Sequence, residues 1–427
     1  MPGVTVAVVK DDSVVYLKGF GTREAGTSQP VDGNTVFAIG SSSKAFTAAA
    51  VGMLVDEGRV EWDDRVTEHL PQFQLSDPYI TREFTVRDLL THRSGLERGE
   101  FIWYATDRNR DEILRRVRHL EQSWGFRSRY GYQNIMYLAA GEIIPAVTEQ
   151  SWDDLVRERI FALLGMTRSS TSTLALRDQP NVATPHAEID GQVRPIAWRN
   201  IDNIAPAGSI NSNVGEVAQW IRMNLNEGTY RGQKVLSPEV VQAMQSPETI
   251  IRLEGAWAMM APESNFMAYG LGWFLNDYRG RKIVHHGGKI DGMHALVAML
   301  PEEELGLVVL TNHNPNFATD ALMYRIFDAY LDAPQQDWSR RLLAASDSLR
   351  ALAGHRRGGW RRHGSQAPVP HSLWTGTWAA TKMRCMVRSR WRRRTAGWCC
   401  VGAPGRWPTS STGTTTPSVR PGATRGS

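Results

Sequence analysis

The distribution of apolar and polar positions divides the chain into a strand-rich beginning, a helical middle and a strand-rich end. Val4 to Val9 is a largely β-branched run, and Val14 to Leu17 follows it across the polar pair Asp11-Asp12, a spacing that predicts an N-terminal hairpin. From Ser42 to Val55 the period changes. Phe46, Ala49, Ala50, Met53 and Leu54 recur at intervals of three and four in an Ala-rich segment that Gly58 is placed to stop, which predicts a buried helix. Residues 60 to 225 carry mostly helical spacing, as over Asp111 to Leu120 and Ile135 to Val147, separated by long loops. Strand character returns at Gly272 to Asn276, Lys282 to His285, His294 to Leu300 and Gly306 to Thr311, each bounded by Gly, Pro, Asp or Asn, and Ala318 to Leu331 predicts a last helix over the sheet. The pattern as a whole predicts an α/β (α+β) fold. One antiparallel sheet is shared by the first and last segments and flanked by helices, a mostly helical region is inserted over about 60–225, and a cleft lies where the two meet.

Charge alters this picture only near the C-terminus. The 427 residues hold 49 Lys plus Arg against 44 Asp plus Glu, but 14 of the basic and none of the acidic side chains lie between Arg356 and Ser427. Residues 1–355 therefore carry 35 basic against 44 acidic groups, an acidic body that argues against nucleic acid as a partner. All three cysteines (Cys385, Cys399, Cys400) also fall in the tail, so the body has neither disulfide nor Cys-type metal site. No apolar run approaches the roughly 18 residues of a membrane span. The first residues lack the basic start and apolar stretch of an export signal, so the chain as written reads as cytoplasmic; a truncated N-terminus would make it periplasmic or secreted. The basic tail contains six tryptophans, against the composition of disordered segments. Reading the codons of Thr409 to Val419 one base earlier admits a strand-like sequence, and we expect a frameshift between about Trp378 and Lys382.

Three groups of residues carry candidate chemistry. In Ser41-Ser42-Ser43-Lys44, a hydroxyl at the mouth of the first buried helix has an amine three residues on, on the same face. The helix N-terminus favours developing negative charge there, and a desolvated lysine can take the serine proton. The same run could instead be an N-capping serine followed by a surface lysine. Tyr130-Gly131-Tyr132-Gln133-Asn134 precedes a helical run; a phenol near a neutral amine can relay protons and an amide can hold a lysine and a substrate carbonyl, although both tyrosines could be packing aromatics. His285-His286-Gly287-Gly288 lies on a strand edge, where glycines allow close approach and expose amides for an oxyanion hole. Adjacent histidines point to opposite faces of a strand, and no further ligand cluster is near, so no metal is expected.

Taken in order, S-x-x-K, Y-x-N and H-x-G resemble the serine β-lactamase and penicillin-binding-protein superfamily, in its class C β-lactamase, DD-peptidase and esterase branch (peptidase family S12). Leu89-Leu90-Thr91-His92-Arg93-Ser94-Gly95-Leu96, Pro206-Ala207-Gly208-Ser209 and Tyr269-Gly270-Leu271-Gly272-Trp273 extend the resemblance, which covers about residues 2 to 335. It implies that Ser41 attacks a carbonyl while Lys44 and Tyr132 share the acid and base work. Asn134 would orient Lys44 and the substrate, His286 would stand at the head of the third motif beside Gly288, and the amides of Ser41 and Lys289 would form the oxyanion hole. No cofactor is implied. Class C β-lactamases carry lysine where His286 stands, and histidine is usual in the esterase and peptidase relatives, which shifts the expectation toward small ester or amide substrates, D-amino-acid peptides among them. A penicillin-binding DD-peptidase or weak β-lactamase, and a catalytically silent peptidoglycan- or protein-binding module, are the alternatives. Relatives carry an N-terminal helix before the first strand, so the start codon is expected to be misassigned. The expected organisation is a hydrolase domain over 1–335, a linker or helix over 336–371, and a frameshifted remnant of a C-terminal β-barrel over 372–427. Oligomeric state is not readable from these motifs.

Overall fold

The computed structural model describes residues 1–314 and 316–348. The expected frameshifted barrel remnant over 372–427 lies outside the described residues.

The N-terminal hairpin forms as β1 (Gly3–Lys10) and β2 (Ser13–Gly21), with Asp11 and Asp12 both at positive φ in the turn. Helix α1 (Ser43–Asp56) follows, and Gly58 at φ +66° comes just after it. Every residue from Ser43 to Leu54 is buried, so α1 is a central helix with no polar face, which accounts for its Ala-rich composition. In the inserted region the helices used below are α2 (Asn134–Thr148) and α3 (Val214–Leu225). The remaining sheet strands are β3 (Thr249–Ile251), β4 (Met267–Tyr269), β5 (Phe274–Tyr278), β6 (Arg281–Ile290), β7 (Met293–Leu300) and β8 (Leu305–Thr311), and α4 (Ala318–Tyr330) comes after them.

These strands make one eight-stranded antiparallel sheet in the order β2-β1-β8-β7-β6-β5-β4-β3. The chain's two ends meet where Val4 pairs with Thr311 and Val9 with Gly306. Val308 and Leu310 of β8 join the core with α1 and α3, where Phe46 stacks on Trp220 at 4.0 Å between ring centroids. Helix α4 packs along β7 and β8. Residues 338–348 are helical and tie back to α4: Trp338 donates to Asp328 (2.6 Å) and stacks on Tyr324.

Two differences from the expected pattern matter. Strands β3 and β4 are only three residues long, too short to show an alternation; β4 is held by pairing to β5, and β3 by pairing to β4. Strand β6 does not stop at His285. It continues through Gly287 and Gly288 to Ile290 because β7 supplies a partner for each residue, Gly287 opposite Leu296 and Gly288 opposite Ala295.

That extension brings β6 against the turn before α1. A Cβ built on Gly288 would lie 1.7 Å from the Ile39 carbonyl oxygen and 3.0 Å from the Ser41 amide nitrogen, whereas one on Gly287 would meet nothing nearer than 3.7 Å. We predict that Gly288→Ala destabilises the fold by about 2–3 kcal/mol and that Gly287→Ala changes it by less than about 1 kcal/mol, as read by chemical denaturation. Equal effects would contradict this backbone contact.

Candidate active site

Ser41 lies in a short tight turn, Gly40–Ser42, that runs directly into α1. Lys44 therefore follows within one turn, and its Nζ is 3.3 Å from Ser41 Oγ. The other two serines are engaged elsewhere: Ser42 Oγ donates to His286 O (2.9 Å) and Ser43 Oγ to Gly40 O (2.7 Å). Ser42 makes no side-chain bond that caps α1, so the capping account of this run does not apply. Ser41 alone of the three is not fully buried.

Lys44 is wholly buried. Its Nζ donates to Asn134 Oδ1 (2.8 Å) and to Ala207 O (2.6 Å), and stands 4.7 Å from the Tyr132 ring centroid and 5.3 Å from that of Tyr137. Burial drives its pKa well below the ordinary 10.5; the positive charge of Arg98 acts in the same direction and the negative charge of Glu100 against it. An uncharged amine has two N–H bonds and one lone pair. With Asn134 and Ala207 taking the two hydrogens, the lone pair is left facing Ser41 Oγ.

Tyr132 is brought to the same point by the loop that enters α2. Its phenol is pushed up from the ordinary range by burial, an effect partly offset by a hydrogen bond with Ser41 and by Arg98. His92 organises this loop. Held at φ +55°, it accepts the Gly131 amide on its carbonyl (2.7 Å) and the Gln133 amide on Nδ1 (3.1 Å), with its ring 4.2 Å from that of Tyr132. Because Nδ1 accepts, the ring proton is assigned to Nε2 and the imidazole is neutral; burial keeps its pKa well below 6.5. Gln133 then starts α2, accepting from the Ile135 amide (3.1 Å) while its own amide donates to Glu97 O (2.7 Å). Asn134 is thus fixed as the first helical residue, with Nδ2 donating to Glu100 Oε1 (3.1 Å). Tyr130 packs against Trp257, Tyr269 and Phe274, in keeping with an aromatic of structural role.

Strand β6 forms the opposite wall. A Cβ on Gly40, itself at φ +52°, would lie 2.7 Å from the Lys289 amide nitrogen, and Gly288 touches Ile39 and Ser41, so the Ser41 and Lys289 amides come close together. The Lys289 side chain leaves the site, its Nζ 5.6 Å from the centroid of Phe317 and its charge facing Asp320. His286 is placed differently from Lys44 and Tyr132. Its Nε2 is 3.0 Å from Tyr269 OH and its Nδ1 is 2.7 Å from Gly287 O, so both nitrogens are engaged by groups other than Ser41, Lys44 or Tyr132, and its ring centroid is 6.4 Å from that of Tyr132. Burial holds it well below 6.5, hence uncharged. Tyr269 OH continues to Tyr137 OH (3.3 Å), which donates to Leu90 O (2.5 Å). His285 lies against Phe274 instead, and burial lowers its pKa to about 4.

The structure thus gathers Ser41, Lys44, Tyr132, Asn134, Gly288 and the Lys289 amide around one point, with His286 behind them. His92, Ala207 and Tyr269 stand in the short motifs around Thr91, Pro206 and Gly270, but residue order alone marks no role for them, and no motif marks Glu100. No group of three or more His, Cys, Asp or Glu among the described residues is placed to hold a metal ion, and no described helix is long and apolar enough to cross a membrane.

Comparison with known proteins agrees with this architecture. The family profile described as Beta-lactamase matches residues 1–331. An unguisins hydrolase from Aspergillus violaceofuscus is 30% identical over 383 residues, which are 83% of this chain and 67% of that protein. Penicillin-binding protein 4 of Amycolatopsis lactamdurans is 31% identical over 320 residues, 73% of this chain and 81% of the other. Among solved structures, the octameric penicillin-binding protein homologue from Pyrococcus abyssi matches with a TM-score of 0.67 at 25% identity, covering 76% of this chain and 73% of that one. The D-amino acid amidase from Ochrobactrum anthropi SV3 shares the fold at a TM-score of 0.63 and 24% identity, over 82% and 94% of the two chains. With the antiparallel sheet, its helical insertion and the three motifs assembled at their junction, this chain belongs to the beta-lactamase family, whose relatives include hydrolases and penicillin-binding proteins.

Proposed function

We propose that the protein is a serine hydrolase that cleaves small ester or amide bonds through an acyl-enzyme on Ser41. The observation that carries this reading is the Lys44 amine, buried, with both hydrogens directed to carbonyl oxygens and its remaining position toward Ser41 Oγ. Ser41 Oγ bonds to the substrate carbonyl carbon as its proton passes to Lys44 Nζ. The carbonyl oxygen becomes negative between the Ser41 and Lys289 amides. As the bond to the leaving group breaks, that group takes a proton through Tyr132, which Lys44 restores, and water then attacks the acyl-enzyme by the reverse route. The opposite displacements of the two groups suit these roles: Lys44 is driven toward its uncharged form and Tyr132 is kept protonated, so the resting site holds a base and an acid together.

Similarity to a protein named as a hydrolase supports hydrolysis as the activity. The uncharged, Tyr269-bound His286 offers no cation to a substrate carboxylate, which favours esters and amides, D-amino-acid amides included, over β-lactams. Similarity to penicillin-binding protein 4 favours a second reading, in which a β-lactam acylates Ser41 and clears slowly.

Against a panel of p-nitrophenyl esters, D-amino-acid amides and β-lactams, Ser41→Ala is expected to lower turnover by about a thousandfold or more while leaving the circular dichroism spectrum unchanged. Turnover retained in this variant would remove Ser41 as the nucleophile. Lys44 must be uncharged to act as base, so kcat/KM is expected to fall as the pH drops through its depressed pKa, an acidic limb that Lys44→Met lacks. The same group couples to stability. Between its folded pKa and 10.5 the unfolded chain binds more protons than the native one, so stability rises with pH across that window. Denaturant titrations from neutral pH toward 10.5 should show a steeper rise for the wild type than for Lys44→Met; parallel curves would mean that Lys44 keeps its proton in the native state.

A further inference from the structure

Arg98 and Glu100 belong to none of the motifs and sit immediately behind the proton-transfer groups. Gly99 between them is at φ +63°, which turns the chain so that Arg98 Nε donates to Glu100 Oε1 at 2.6 Å. The same carboxylate oxygen accepts from Asn134 Nδ2 at 3.1 Å, and the guanidinium carbon of Arg98 stands 5.0 Å from the Tyr132 ring centroid. The loop is fastened to the entry of α2 by the bond from Gln133 Nε2 to Glu97 O.

From this juxtaposition we infer that Arg98 and Glu100 are a positioning pair: Glu100 fixes the orientation of the Asn134 amide, and with it the direction of the Lys44 lone pair, while Arg98 sets the charge felt by Lys44 and Tyr132. This inference rests on the roles proposed for Ser41 and Lys44.

A carboxylate oxygen only accepts, so it selects the NH2 side of Asn134 and leaves Oδ1 toward Lys44. If the amide were reversed, its NH2 would face Lys44 Nζ. An uncharged Lys44 would then spend its lone pair on Asn134 and turn a hydrogen toward Ser41, and a base would become a donor. The two members also act on Lys44 with opposite sign. Arg98 disfavours its ammonium form and Glu100 favours it. The other groups around Lys44 are Ser41, Tyr132, Tyr137, Asn134, the Ala207 carbonyl and, farther out, the neutral His92 and His286. None of these carries a standing charge at neutral pH, so Arg98 and Glu100 are the charges to which the amine responds.

Three variants separate orientation from charge. In Glu100→Gln the side-chain carbonyl can still accept from Asn134 and Arg98 but the charge is gone; in Glu100→Ala both are lost; in Arg98→Met the positive charge is lost. Two readouts are taken on the full chain, the Lys44 titration by NMR with lysine labelled at 13Cε and the pH profile of p-nitrophenyl ester turnover. The Lys44 midpoint and the acidic limb of kcat/KM are expected to move to lower pH in Glu100→Gln and to higher pH in Arg98→Met. In Glu100→Ala, kcat should fall at least about tenfold below that of Glu100→Gln with little change in KM, the loss of a charge-assisted orienting bond. A structural role alone would lower stability without moving the midpoint in opposite directions. Midpoints that move together, or not at all, would overturn the inference, as would equal kcat in the two Glu100 variants. Opposite NMR displacements in a protein that turns over no ester would support the pairing of charges while removing the acyl-enzyme reading.

Discussion

An amine with no exposure to solvent is the constraint on which the rest of the site depends. Moving a charged ammonium from water into a packed interior costs several kcal/mol, and the group escapes most of that cost by giving up its proton. Among the described residues no carboxylate lies within hydrogen-bonding distance of Lys44 to hold the charge. It has instead two carbonyl oxygens, from Asn134 and Ala207, that satisfy the hydrogens of the neutral form. What would be a liability at most positions here sets an amine lone pair beside a hydroxyl, the arrangement from which the proposed base follows, and the surrounding architecture keeps it in place.

The fold supplies the three walls independently. The Gly40–Ser42 turn, which runs directly into α1, carries Ser41, and the first turn of α1 carries Lys44, so the two are placed by one continuous stretch of backbone. The α2 entry supplies Tyr132 and Asn134 from the inserted region, aligned by His92 and by the Gln133 cap. Strand β6 supplies an amide, and its distance from Ser41 is set by the absence of side chains at Gly40 and Gly288. The Ser42 hydroxyl bonded to the His286 carbonyl fastens the first wall to the third. The long sheet, in which the first strand pairs with the last, frames this contact: β6 is paired to β5 from Arg281 to His285 and to β7 from Val284 to Ile290, so β7 holds the segment that faces the turn.

What could be read from residue order alone follows the range of the interactions. The N-terminal hairpin and α1 were legible because their signals are local: a β-branched run, a polar turn, a period of three to four. The Ser41 to Lys44 pair was legible for the same reason, being one helical turn apart. Strands β3 and β4 were not, since three residues show no period and their limits are defined by pairing to the neighbouring strand. The far end of β6 was hidden by its own glycines, which end a hydrophobic pattern without ending a ladder. His286 was grouped with the catalytic residues through its motif, yet its hydrogen bond goes to Tyr269, two strands away in the sheet. Glu100 was invisible because a residue in a short turn, tied to Arg98 and Asn134 by side-chain hydrogen bonds, leaves no periodicity to detect.

On the proposed reading, burial and two carbonyl acceptors leave Lys44 uncharged and thereby make Ser41, among three consecutive serines, the reactive one. The most direct measurement is intact mass after incubation with a fluorophosphonate probe, followed by peptide mapping, at several pH values. The account predicts a single adduct, on Ser41 and on neither Ser42 nor Ser43, formed more slowly as the pH is lowered. A folded protein that takes no adduct, or takes it on another residue, would contradict it.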